Sequence, residues 1–177
     1  MAERPDAAQM IAFLKGLRAT RQFTSEPLPD AALRDILEVA RWSGSASNSQ
    51  PWELMLVRDG AVRDRLAELS GTNAGHLRGA QLGLVLILDG DDESMESYDE
   101  GRLSERIMLA AAAHGIGACI GWLEGDGQRA GKEALGIPQH KFVRTIISLG
   151  YPDTSNPRPK RAQARKPLNE LLHEEGY

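Results

Sequence analysis

Residues 43–52 read SGSASNSQPW, and their place between two regular patterns decides how the chain is built. Before them, PLPDAALRDILEVARWS (27–43) offers Pro29 and Asp30 as helix-start signals and sets Leu33, Ile36, Leu37 and Ala40 on one apolar face. After them, WELMLVRDG (52–60) alternates and ends in a turn pair, the pattern of a strand. Most links between elements run to about 4–6 residues, so this one is long for a plain connection. Ser45, Ser47, Asn48, Ser49 and Gln50 fill it with uncharged donors and acceptors. Two readings stand: an ordinary serine-rich turn, or a polar rim for a flat heterocycle edged with carbonyls, ring nitrogens and an N–H.

The same patterns extend outward in both directions. AAQMIAFLKGLRA (7–19) has helical spacing, with Asp6 available as its cap, and AVRDRLAEL (61–69) reads as a short helix. LGLVLIL (82–88) is apolar on both faces, which fits a central strand. The acidic DGDDESMESYDEG (89–101) reads as a loop before a helix from about Arg102 to Ala113, which Gly115 and Gly117 terminate. ACIGWL (118–123) and FVRTIISLGY (142–151) read as strands, QRAGKEALG (128–136) and LNELLHEEG (168–176) as helices. Helices interleave with apolar strands, so the expected class is α+β, with one sheet covered on both faces.

The bulk composition narrows the function. A chain of 177 residues with 41% hydrophobic and 26% charged residues has the make-up of one globular domain. Its net charge of −4 gives no general attraction for nucleic acid or an anionic membrane. A single cysteine, Cys119, allows no internal disulfide and fits a reducing cytoplasm. MAERPDAAQM lacks the long apolar core of a signal peptide, and the run at 82–88 is too short to span a bilayer. His76, His114, His140 and His173 do not fall at metal-ligand spacings, and no GxSxG elbow or phosphate-binding P-loop is present. GIGACIG (115–121) follows a helix, and GDGQRAG (125–131) puts Asp126 where a pyrophosphate would sit, so both glycine clusters read as turns.

Two basic clusters remain on this acidic chain. LRATRQF (17–23) carries Arg18 and Arg21, and the tail NPRPKRAQARKP (156–167) carries Arg158, Lys160, Arg161, Arg165 and Lys166. Such clusters suit a phosphate monoester. The tail alone reads sooner as a solvated charge run.

Taken together, ATRQFTSEPLP, SGSASNSQPWELMLV, DEGRLSERIMLAAAAHGIGACIGWL and ISLGYPD…RKPLNELLH resemble the nitroreductase family of flavin enzymes, in order and over nearly the whole chain. The resemblance implies a three-layer α/β/α fold with a central mixed, largely antiparallel sheet. It implies a single FMN-binding domain over 1–177, with 152–177 as an extended C-terminal arm. It also implies a homodimer with FMN sites at the subunit interface, and NAD(P)H as electron donor. Arg18 and Ala19 fall at the phosphate and ribityl end, and Arg21 near the pyrimidine edge. Ser45 and Asn48 fall where the partner subunit reaches the flavin, with Gln50 beside them. Ile120 and Gly121 fall along the ring, and Arg165 or Lys166 at the cation that closes on the phosphate. Catalytic side chains are not expected, because the flavin carries the redox chemistry.

The chain departs from the family pattern at Leu17, where a second basic residue is common, and at Ala19, where serine is common. Each change removes a phosphate contact, about 1–3 kcal/mol for a charge-assisted bond. Arg106 replaces a common asparagine, and the segment between 70 and 100 is short. The expected activity is reduction of nitroaromatic or quinone-like acceptors in two half-reactions. The alternatives are other flavin chemistry, such as dehalogenation or ring oxidation, and flavin binding without turnover. Trp42 and Trp52 read as core, and Trp122 as a candidate contact for flavin or substrate.

Overall fold

β2 (Leu82–Leu88) and β4 (Thr145–Gly150) are buried along their whole length, as two-faced apolar runs require. They form the centre of a four-stranded antiparallel sheet of order β1-β2-β4-β3, with β1 (Trp52–Val57) and β3 (Gly117–Trp122) at the edges. This computed structural model describes residues 6–155 and 165–176. The tail residues Arg158, Lys160 and Arg161 therefore lie outside the described residues.

Each face of the sheet carries its own core. One side packs α2 (Asp30–Arg41) and α4 (Glu93–Ala113) through Leu33, Ile36, Leu103, Ile107 and Ala111 onto Leu84, Leu86 and Ile147. The other gathers Leu66 of α3 (Gly60–Leu69), Leu77, Leu123 and Ile137 around Val85 and Ile146, with α5 (Asp126–Leu135) alongside. The three-layer arrangement matches the expectation. The only parallel pairing among the described residues is an isolated bridge between Ala19 and Ala118.

α1 (Ala7–Gly16) starts where the sequence suggests, with the Asp6 side chain accepting from Gln9 N–H at 2.9 Å. It buries none of its residues, and Met10, Ile11, Phe13 and Leu14 face outward.

Three local expectations are corrected. The acidic stretch 89–101 is mostly helix, because α4 begins at Glu93, not near Arg102. Asp92 caps it by accepting from Ser94 and Met95 N–H, and Glu96 accepts from Gly90, Asp91 and Asp92 N–H. Carboxylates at a helix N-terminus face a positive dipole end, so acidity here favours the helix. The terminal helix shrinks to a 3-10 turn at Leu168–Glu170, with every residue from 165 to 176 exposed and no core to hold a longer one. Trp42 is not core: it is 67% exposed, bonded through Nε1 to Glu38 and covered by Arg41 at 5.1 Å. Trp52 does pack against the α2/α4 core.

Candidate functional site

The basic segment after α1 is pinned to the sheet by main chain. Thr20 N–H donates to Ala118 O at 2.8 Å, Ala19 bridges Ala118, and Thr24 N–H donates to Tyr151 O. Gly117 is required there, since a Cβ would sit 2.6 Å from Thr20. The Arg18 guanidinium caps α1, donating to Lys15 O and Leu17 O, both at 2.7 Å.

That course opens a cleft of about 540 Å³ whose lining includes Lys15, Arg18, Ala19, Glu105, Met108 and Arg165. The volume lies within the range of small-molecule sites, about 300–1,000 Å³. A neighbouring apolar cleft of about 360 Å³ shares Leu17, Arg18 and Met108 and runs on to Gly117 and Ala118. The structure thus brings together Arg18, Ala19 and Arg165, three of the residues marked in the sequence. It adds Lys15, which the sequence reading passed over because helical spacing assigned it to α1. Arg21 is exposed beyond the cleft, and Lys166 is exposed beside Arg165. Three cations against the single Glu105 carboxylate suit a doubly charged phosphate, so the donor set fits the end of FMN. Leu17 packs on the core and Ala19 pairs through backbone, and both line the cleft without a polar side-chain group to offer.

β3 continues from this cleft. Ile120 is part-buried against the α2/α4 core and Trp122 is exposed, on the same face of the strand by its two-residue period. Gly121 points the other way. A Cβ on it would meet the Cβ of Ala74 at 2.4 Å, so packing inside the chain by itself accounts for a glycine here.

The loop Ser45–Gln50 lies at the opposite edge, where it feeds β1. A 3-10 turn at Ala46–Asn48 shapes it, and Ser47, Asn48 and Gln50 all have positive φ, between 50° and 56°. Non-glycine residues avoid that region at a cost of about 1–2 kcal/mol each, so three together mark a conformation the surroundings enforce. The enforcing groups come from α4. Buried Asp99 accepts from Ala46 N–H at 3.1 Å and from Arg102 at 3.2 Å, and Arg106 donates to Trp42 O at 2.9 Å. Arg106 is thus the cap on the end of α2. Ser45 Oγ accepts from Gln50 N–H at 2.8 Å, while the Ser47, Asn48 and Gln50 side chains are exposed.

Three strand intervals of about 4.8 Å separate the two edges, roughly 14 Å across the sheet. Neither cation-bearing cleft includes a residue of the 45–50 loop. Among the described residues, one chain does not join the two halves. Among the described residues no group of acidic, histidine or cysteine side chains is arranged to hold a metal, and no helix is long and apolar enough to cross a membrane.

A helix-covered antiparallel sheet with a cation-lined cleft at one edge defines the class as an α+β protein. Residues 14–84 match the Nitroreductase family. A protein of Archaeoglobus fulgidus, provisionally named NADH dehydrogenase/NAD(P)H nitroreductase, is 32% identical over 143 residues, covering 76% of this chain and 80% of its own. A provisionally named nitroreductase of Desulfovibrio desulfuricans, solved in complex with FMN, superposes with a TM-score of 0.79 at 27% identity, covering 99% of each chain. An FMN-dependent nitroreductase of Clostridium difficile shares the fold, with a TM-score of 0.82 at 23% identity over 95% of this chain and 100% of that one. The chain belongs to the nitroreductase family.

Proposed function

We propose that this chain is an FMN-dependent oxidoreductase that uses NAD(P)H to reduce nitroaromatic or quinone-like acceptors. It works as a homodimer in which residues 1–177 form one FMN-binding domain and 152–177 an arm reaching over the partner. The observation that carries the reading is the cleft shared by Lys15, Arg18 and Arg165, in a family with an FMN complex among its solved relatives.

FMN, when bound, supplies two-electron chemistry in successive half-reactions with donor and acceptor. The protein's part is to hold and to shield. Arg18 and Arg165, with Lys15, fix the phosphate. Arg21 sets a positive charge near the pyrimidine edge, where it favours the electron-rich form of the bound group. Ile120 supplies apolar surface along β3. Ser45, Asn48 and Gln50 offer neutral hydrogen bonds from the other copy, since in one chain they lie at the far edge. The outward apolar face of α1 and exposed Leu168, Leu171 and Leu172 are surface for that second copy to bury.

Titrating the purified chain with FMN, then adding NADPH or NADH with 1,4-benzoquinone, tests the proposal. A yellow complex that oxidises the nicotinamide only when the quinone is present is the expected result. A preparation that takes up no FMN refutes it, and one that binds FMN but never turns over makes this a flavin-binding protein.

A further inference from the structure

On one face of β3, Ile120 is part-buried against the core while Trp122 is exposed, and Trp122 is held by a scaffold of its own. Arg144, just before β4, places its guanidinium carbon 5.3 Å from the centre of the Trp122 ring and 5.2 Å from that of Phe142. The arginine is itself anchored from α4: it donates to Ser97 Oγ at 3.0 Å and to Glu100 Oε2 at 2.5 Å. Glu100 is 2% exposed, and its Oε1 has no hydrogen-bond partner among the described residues. A buried carboxylate with one oxygen unbonded among the described residues is costly, and that cost is set against fixing one arginine between the Trp122 and Phe142 rings. The ring it steadies is 41% exposed, so the pairing does not serve to bury the ring.

The position matters as much as the scaffold. Ala118, beside the cation cleft, and Trp122 are four residues apart, about 13 Å along an extended strand. Ile120 lies between them on the same face as Trp122.

We propose that Trp122 is the wall against which a flat, electron-poor acceptor stacks, with Arg144 as the positioning residue that holds its ring. The inference rests on the reading of FMN along β3. The acceptor lies over the outer face of the indole while Arg144 occupies the other, and the stack selects planar aromatic acceptors over compact inorganic ones.

The test uses the full chain loaded with FMN and the variants Trp122→Ala, Trp122→Phe and Arg144→Lys, with 1,4-naphthoquinone and ferricyanide as acceptors. Trp122→Ala is expected to raise KM for naphthoquinone about tenfold with kcat little changed, and Trp122→Phe about twofold. The kcat/KM preference for naphthoquinone over ferricyanide falls accordingly. Arg144→Lys keeps the charge and loses the planar guanidinium, and gives a KM between the two; a purely structural arginine would lower the unfolding midpoint and leave KM alone. A second readout is tryptophan emission, whose quenching by added naphthoquinone is largely lost in Trp122→Phe, although Trp42 and Trp52 remain. If FMN binds every variant and Trp122→Ala keeps the wild-type KM and acceptor preference, the stacking role is wrong and the proposed function stands. If the unaltered chain binds no FMN, both fall together.

Discussion

The two edges of the sheet are built by opposite means. At the β3 edge, charged side chains sit on a segment that main-chain hydrogen bonds fasten to Ala118 and Tyr151. At the β1 edge, uncharged side chains sit on a loop with three left-handed residues, fastened by side chains of α4. Neighbouring buried acids on that helix serve opposite ends: Asp99 holds the loop, and Glu100 holds Arg144 beside Trp122. The difference teaches where sequence can vary. The basic edge tolerates Leu17 and Ala19 because backbone keeps its course, whereas the polar edge depends on individual side chains remote in sequence.

The largest effect is expected at Glu100. Glu100→Ala leaves Arg144 three-quarters buried without its carboxylate, and should lower unfolding free energy by about 3 kcal/mol, read by urea denaturation. Asp99→Ala should cost about 1–3 kcal/mol, through an unsatisfied Ala46 N–H and a released Arg102. It should also weaken FMN binding although it touches no part of the cleft. A stable Asp99→Ala chain with wild-type FMN affinity would separate the loop from the site. Ser47→Gly should do the reverse of both, stabilising by about 0.5–1 kcal/mol, since relief of a left-handed φ outweighs the added freedom of the unfolded chain. A loss of stability there would mean that the Ser47 side chain holds something.

The smallest effect lies on exposed Glu38, whose pKa is lowered to about 2, chiefly by the hydrogen bond from Arg41 and then by that from Trp42. A depressed carboxylate stabilises above its unfolded value near 4.5 and loses that stabilisation as pH falls toward about 2. The difference in melting temperature between the wild type and Glu38→Gln should therefore be small at pH 7 and vanish toward pH 2.

Much of the fold was legible because it depends on local pattern. LGLVLIL announces a central strand by being apolar on both faces, and Asp6 caps its helix as the sequence suggests. The acidic run 89–101 was misread because carboxylates resemble a solvated loop unless they are seen to cap a helix N-terminus, as Asp92 and Glu96 do, and to meet a remote cation, as Glu100 meets Arg144. Trp42 was misread for a related reason: its covering groups are local, Glu38 a turn back and Arg41 directly before it. Of the charged residues marked in the sequence, Arg18 and Arg165 share a cleft; Lys15 was passed over, since helical spacing accounts for it equally well. Asp99, Glu100, Arg106 and Arg144 were also hidden, because each acts on a partner at least 44 residues away.

The central claim is that one flavin site takes its cations from one chain and its polar loop from another. Mixing two variants tests it most directly: Arg18→Ala/Arg165→Ala, disabled at the β3 edge, and Asn48→Ala/Gln50→Ala, disabled at the β1 edge. Neither should bind FMN alone at micromolar concentration. After subunit exchange, half the dimers are mixed and each holds one intact site, so the account predicts recovery of about a quarter of wild-type binding capacity. No recovery in a mixture shown by sedimentation to have exchanged would contradict it.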